Sequence, residues 1–172
     1  IPRENNMFRY WGNNSISSNP IGKNCVMSLY CDKNDDIWVG CDSEGVFQVD
    51  SRGVRKKHLS HLSPCNVPKT PLCMYEDSEN NFWVGSYAEG VAIMDIESGR
   101  CNYIPQLKGD KVYCITEDNE SNIYIATLGA GFYQYNLKRK ELNQYKYYNA
   151  NDNDEESDGV FKDWINYILY DS

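Results

Sequence analysis

No stretch of this 172-residue chain stays apolar long enough to cross a bilayer as a helix, so no membrane contact is expected of it. Positive charge is scarce. Seventeen Lys and Arg stand against 25 Asp and Glu, a net charge of -8, which excludes the clustered cationic surface that duplex nucleic acid requires. Histidine is scarcer still: only His58 and His61 occur, and neither accompanies a GxSxG nucleophile or an HExxH metal pattern. The chain begins Ile1-Pro2, without an initiator methionine or a charged-then-apolar leader, and so reads as a processed protein or an excised piece. Its seven cysteines contain no CxxC pair, and an odd number leaves one unpaired if the rest were bridged. Cys73 and Cys114 each stand four residues before an aspartate, in strands expected to be buried, where a thiol acts as a small hydrophobe. No metal site and no cofactor is expected.

The apolar content of 41% and aromatic content of 13% are arranged in copies. Asp32 to Val46, Asp77 to Val91 and Asp118 to Phe132 read DKNDDIWVGCDSEGV, DSENNFWVGSYAEGV and DNESNIYIATLGAGF, spaced by 45 and then 41 residues. A period near 40 to 45 built of short strands is the mark of propeller blades. Before each aspartate lies an apolar run, Val26 to Cys31, Leu72 to Tyr75 and Val112 to Thr116, apolar on both faces as a doubly buried strand requires. After it come turn formers: Asn34-Asp35-Asp36, Asn80-Asn81 and Ser121-Asn122. A symmetric turn then sets Tyr30 opposite Trp38, Tyr75 opposite Trp83 and Thr116 opposite Tyr124, with an aromatic cross-strand contact in the first two copies.

Gly40, Gly85 and Ala126 follow the aromatic by two residues and allow a neighbouring blade to come close, while Gly45, Gly90 and Gly131 end a loop that suits positive backbone torsion. A third strand follows in each copy, then an outer strand. The basic run Arg55-Lys56-Lys57 on an outer strand reads as edge protection, and only weakly as an anion site.

The expected architecture is all-β: a β-propeller segment of three complete four-stranded blades with partial blades at both ends. Residues 1-24 hold the outer strand of a preceding blade (Met7 to Tyr10) and a linker; 25-69, 70-110 and 111-162 are the blades, the last with an acidic, solvated loop; 163-172 is the first strand of a next blade. Propellers close with four to eight blades, so three would expose their open faces or associate through them.

The units Tyr30-Cys31-Asp32 with Ile37-Trp38-Val39-Gly40, and Tyr75-Glu76-Asp77 with Phe82-Trp83-Val84-Gly85, resemble the two-component regulator propeller repeat. The resemblance covers about residues 8 to 172 and includes the polar linker Ser17-Ser18-Asn19-Pro20; the third copy departs from it at Tyr124 and Ala126. It implies a periplasmic sensor region of a hybrid two-component system histidine kinase, with the kinase outside this chain and an oligosaccharide as ligand.

The loops between second and third strands share one propeller face with the connections between blades. That face offers Trp11, Asp42, Glu44, Tyr87, Glu89, Lys111 and Trp164 as candidate ligand-binding residues, aromatics beside polar groups being suited to a sugar. Each also has a plainer role: the tryptophans as covers of blade junctions, the carboxylates as ordinary loop charges. Two further readings stand beside the non-enzymatic sensor. One is a protein-interaction or dimerisation scaffold; the other is a propeller lyase or glycosidase using Glu44 and Glu89. The aspartates of Asp32 to Asp36 lack the glycine and glutamate of a calcium loop, which leaves a hairpin turn.

Overall fold

The structure is a computed structural model that describes residues 21-62, 65-146 and 163-171. The candidate Trp11, the expected strand Met7 to Tyr10, the linker 17-20 and the acidic loop through residue 162 lie outside the described residues. Among the described residues are twelve strands and one short 3-10 turn, Pro105–Leu107. The strands form three four-stranded antiparallel sheets, each a simple meander. The first comprises β1 (Val26–Cys31), β2 (Ile37–Cys41), β3 (Gly45–Val49) and β4 (Arg55–Leu59). The second comprises β5 (Pro71–Glu76), β6 (Phe82–Ser86), β7 (Val91–Met94) and β8 (Cys101–Tyr103). The third comprises β9 (Val112–Glu117), β10 (Asn122–Thr127), β11 (Phe132–Asn136) and β12 (Glu141–Tyr145).

The repeat aspartate builds the first hairpin of every sheet. Asp32 Oδ1 accepts the amides of Asn34 (2.9 Å) and Asp36 (3.0 Å), and its Oδ2 accepts the Trp38 indole N–H at 2.9 Å. Asp77 repeats the pattern with the amides of Glu79 and Asn81 and with Trp83 Nε1 at 2.7 Å. In the third sheet Asp118 takes the amides of Glu120 and Asn122, and the Tyr124 hydroxyl replaces the indole at 3.0 Å. Closing the turn puts one residue of each hairpin in the left-handed region: Asp35, Asn80 and Ser121, with φ of 61°, 64° and 64°. Short polar side chains tolerate that backbone best, which accounts for the residue types found there.

The registers Tyr30↔Trp38, Tyr75↔Trp83 and Tyr124↔Thr116 follow from these symmetric turns. The ring contacts, however, run to the next sheet. Trp38 meets Phe82 at 4.7 Å between centroids, Tyr30 meets Tyr75 at 6.5 Å and Phe82 at 5.7 Å, and Trp83 meets Tyr135 edge-on at 5.5 Å. Trp38 and Trp83 are wholly buried in these seams.

Sheets pack in chain order, β1 and β2 on β5, then β5 and β6 on β9; among the described residues no comparable packing joins the third sheet to the first. The small residue after each tryptophan makes this possible. A Cβ on Gly40 would come within 2.9 Å of Pro71 Cβ, and one on Gly85 within 2.6 Å of Val112 Cγ1. Gly90 meets the loop requirement: its φ is +76°, and a Cβ there would lie 2.0 Å from the Leu107 carbonyl oxygen.

Double burial of the first strands is not what the fold shows. Val26, Met27 and Leu29 of β1 are exposed, and β5 and β9 are covered only in part. Each is the edge strand of its sheet, so the fully buried runs are β3 and β6 within the sheets. At the trailing end, residues 163-171 lie along the third sheet with one isolated bridge, Leu128↔Trp164, and no ladder. The Asp163 carbonyl accepts the amides of Gly129 and Gly131, the Ile165 amide reaches Thr127 O, and Cys114 Sγ approaches Ile168 O at 3.5 Å. The outer lysines are ion-paired: Lys56 with Asp36 at 2.6 Å, and Lys57 with Glu97 of the next sheet at 3.1 Å.

Replacing Asp77 by Ala strands two amides and a buried indole N–H, at a cost of about 3 kcal/mol. Trp83→Phe, which keeps a ring but loses the N–H, should cost less; urea unfolding of both variants measures the difference. Acid should also destabilise the protein through three turn carboxylates, Asp118, Asp50 and Asp95. Burial opposes ionisation of Asp118, but hydrogen bonds from the Asn122 side chain and amide, the Glu120 amide and the Tyr124 hydroxyl outweigh it and lower its pKa. Asp50 and Asp95 are lowered by hydrogen bonds, the leading ones from the amides of Val54 and Ser98 respectively. A depressed carboxyl contributes stability that is present above its unfolded value, about 3.9, and is lost as pH falls through the folded value. The urea midpoint should therefore hold from neutrality to about pH 5 and fall below it, less steeply in Asp118→Asn.

Candidate functional site

The loops 42-44, 87-90 and 128-131 lie at one end of their sheets, beside the connections between sheets. The Ser43 amide donates to Lys69 O, the Tyr87 amide to Thr70 O and the Leu128 amide to Lys111 O. This end holds every described member of the candidate set.

Four of those residues occupy matched places at the seams. Asp42, Tyr87 and Leu128 stand ten residues after their repeat aspartates; Thr70 and Lys111 stand seven before the next one, and Trp164 stands seven before Asp171. The fold brings each such pair together. Thr70 Oγ1 donates to Asp42 Oδ1 at 2.7 Å, Lys111 Nζ lies 5.0 Å above the centre of the Tyr87 ring, and Trp164 bridges Leu128. Tyr87 and Trp164 remain about half exposed, at 46% and 49%.

Glu44 and Glu89 have a different role. Glu44 Oε2 accepts the amides of Lys23 (2.8 Å) and Asn24 (3.1 Å), and Glu89 Oε2 accepts the Lys69 amide at 2.7 Å. Each carboxylate ties down the chain as it enters its own sheet. The third sheet has Ala130 at this place, so the anchor is absent from that copy. His58 is also structural: its ring stacks on Phe47 at 4.0 Å and its Nε2 bonds Glu44 O at 2.9 Å.

A cleft of about 430 Å³ opens at this end of the second sheet. Glu89, Tyr103, Lys108 and Asn66 supply its polar groups, and Ile104 and Pro105 an apolar wall. The Tyr103 hydroxyl donates to Asn66 O at 2.9 Å; burial first, then the charges of Glu89 and Cys101, push its pKa well above the usual value. Of the described candidates only Glu89 lines this cleft. Tyr103 was missed because it ends an outer strand and becomes a lining residue only where the Pro105–Leu107 turn folds back beside it.

A larger cleft, about 470 Å³, lies at the opposite end between the first and second sheets, among Lys33, Lys56, Lys57, Glu76 and Glu97. Its charges are already matched, with Lys33 2.8 Å from Glu76 and Lys57 3.1 Å from Glu97, so it reads as an ion-paired seam. Among the described residues no three His, Cys, Asp or Glu side chains converge to hold a metal, and no helix is long and apolar enough to cross a membrane.

The anchoring role has a measurable consequence. Glu44→Ala and Glu89→Ala should each lower stability by about 1 to 2 kcal/mol, because each unties backbone amides from a charged acceptor, whereas Ala130→Glu gives no comparable loss. Urea unfolding of the three variants decides it.

Comparison with known proteins follows the same boundaries. The two-component regulator propeller model matches at residues 20–43, 66–88 and 106–129, one match for each repeat aspartate with its hairpin. No curated protein matches the chain. Among solved structures, the extracellular domain of a hybrid two-component system from B. thetaiotaomicron superposes with a TM-score of 0.61 at 24% identity, covering 74% of this chain and 17% of that one. A second such domain from B. thetaiotaomicron gives 0.56 at 18% identity, covering 69% and 18%. PorZ, a surface component of the type-IX secretion system of Porphyromonas gingivalis, gives 0.53 at 18% identity, covering 71% and 21%. At these identities the superpositions show the propeller fold, and the chain spans about a fifth of those proteins or less. With three matches set on three successive blades, the chain carries three copies of the two-component regulator propeller repeat.

Proposed function

We propose that this chain is a non-catalytic sensor segment of a periplasmic signal-transduction receptor, binding an oligosaccharide or related small molecule at its loop end. Output would pass to a histidine kinase outside the chain. The three matched repeats and the extracellular domains the chain superposes on support the receptor reading. The loop-end cleft carries the ligand reading. Its volume falls in the range of small-molecule sites, and it sets a hydroxyl, an ammonium and a carboxylate against an apolar wall, which matches the hydroxyls and apolar ring face of a sugar. Tyr87 and Trp164 extend the same end with half-exposed rings. The tethering of Glu44 and Glu89 to backbone amides speaks against a carboxylate pair working as acid and nucleophile. Signalling then requires the ligand to favour one arrangement of the receptor over another.

One observation favours the scaffold reading as a second possibility: Val26, Met27 and Leu29 leave an apolar edge on β1, through which open blade faces could associate. Calorimetry against a panel of oligosaccharides, on this chain and on the longer receptor region, tests the first reading. Saturable binding weakened about tenfold, or 1.4 kcal/mol, by Tyr103→Ala or Lys108→Ala supports it; no saturable binding to any oligosaccharide ends it. Sedimentation of the same samples decides the second, since a longer region that stays monomeric at every concentration leaves no dimer.

A further inference from the structure

Cys65 lies on the connection from the first sheet to the second, and Cys101 opens β8, the outer strand of the second sheet. Cys65 Sγ points at the Ser98 carbonyl at 3.7 Å, and Cys101 Sγ at the adjoining Gly99 carbonyl at 3.7 Å. The two sulfurs therefore reach consecutive carbonyls of one turn. The turn itself admits the approach: Gly99 has φ of +70°, and a Cβ there would lie 2.9 Å from Cys65 Sγ and 3.2 Å from Cys65 Cβ. Both side chains pack against the same core cluster, formed by Trp38, Leu59, Val67 and Met94 among others. Cys73 and Cys114 also come near each other, the Cys114 charge being the second cause, after burial, that raises the Cys73 thiol, but their sulfurs do not share a turn. Cys73 and Cys114 direct their sulfurs onto the following segment, at Val112 O and Ile168 O, and Cys41 is wholly buried.

We propose that Cys65 and Cys101 are a disulfide-forming pair, which an external disulfide converts into a bond locking the connection between sheets to the outer strand of the second. The exchange balances without any further reactant. The Cys65 thiolate attacks one sulfur of a small disulfide such as oxidised glutathione and releases one thiol. The Cys101 thiolate then attacks the Cys65 sulfur of the mixed disulfide and releases the second. Two protein thiols are oxidised, the external disulfide is reduced to two thiols, and the protein loses two hydrogen atoms. Cys65 leads because it is the more accessible. Burial, with the charge of Cys65, pushes the Cys101 thiol up to about 12, so the closing step should accelerate as pH rises.

The test is oxidation of the folded chain with oxidised glutathione, followed by alkylation with N-ethylmaleimide and peptide mapping without reductant. A cross-linked peptide joining Cys65 to Cys101, lost on reduction, is expected, with Cys25 and Cys31, as exposed thiols, carrying N-ethylmaleimide or a single glutathione and no bridge. In Cys101→Ser the reaction should stop at a glutathione adduct on Cys65, a readout that does not depend on the stability of the bridged form. Alkylation of both Cys65 and Cys101 after oxidation, separate glutathione adducts on the two in the unmodified sequence, or a bridge to any other cysteine overturns the pairing. Circular dichroism of each sample confirms that a folded protein was probed.

Discussion

The rest of the molecule depends on a carboxylate with two oxygens and two separate tasks. One oxygen of each repeat aspartate closes a hairpin through backbone amides; the other holds the aromatic donor six residues on. Withdrawing an ionised group from water is costly unless its hydrogen bonds are replaced, and here they are replaced by donors that the hairpin itself supplies. The second bond does more than satisfy the charge. It fixes the indole of Trp38 where its ring can meet Phe82 of the next sheet, and that of Trp83 where it can meet Tyr135. Local turn geometry and packing between sheets are thus two results of one interaction. The third copy shows the limit of substitution. Tyr124 reaches the same oxygen, but its ring packs on Phe132 of its own sheet at 6.4 Å, so the outward contact changes where the donor changes.

What could be read from residue order was what is decided within a hairpin. The register of Tyr30 with Trp38 follows from a symmetric turn, and the left-handed positions at Asp35, Asn80 and Gly90 follow from residue type. Close approach at Gly40 and Gly85 was also legible, since a missing side chain marks the place where another backbone passes. The destination of the aromatic rings was not. Pairing in register put Tyr30 opposite Trp38, whereas the packing preference of each ring is settled by a sheet more than forty residues away. The exposure of β1 escaped for a related reason: an apolar run looks the same whether its neighbour is present or not, and burial depends on the neighbour.

The loop end divides in the same way. Glu44 and Glu89 drew attention as recurrent acids on recurrent loops, and their recurrence reflects a recurrent need to hold the entering chain. Architecture thus takes up the carboxylates that looked most chemical. Under the proposed function Tyr103 and Lys108 would meet the ligand; Tyr103 holds the outer-strand place that His58 and Gln144 hold in the other sheets, so its residue type and not its position sets it apart, and only folding assembles it with Lys108 and Glu89. In a repeat protein the conspicuous copies describe the frame, and the departures from them are where chemistry can vary.

That contrast is sharpest at the seams. The three sheets share one hairpin design, yet the matched pair that joins the first to the second is a hydroxyl with a carboxylate, the pair that joins the second to the third is an ammonium with an aromatic face, and at the third Leu128 meets Trp164 of the trailing segment through a backbone bridge. A blade moved to another place in the series would carry its hairpin intact but face a partner of the wrong chemistry. The units are alike in construction and not interchangeable in order, so the succession of blades is written into the joints between them.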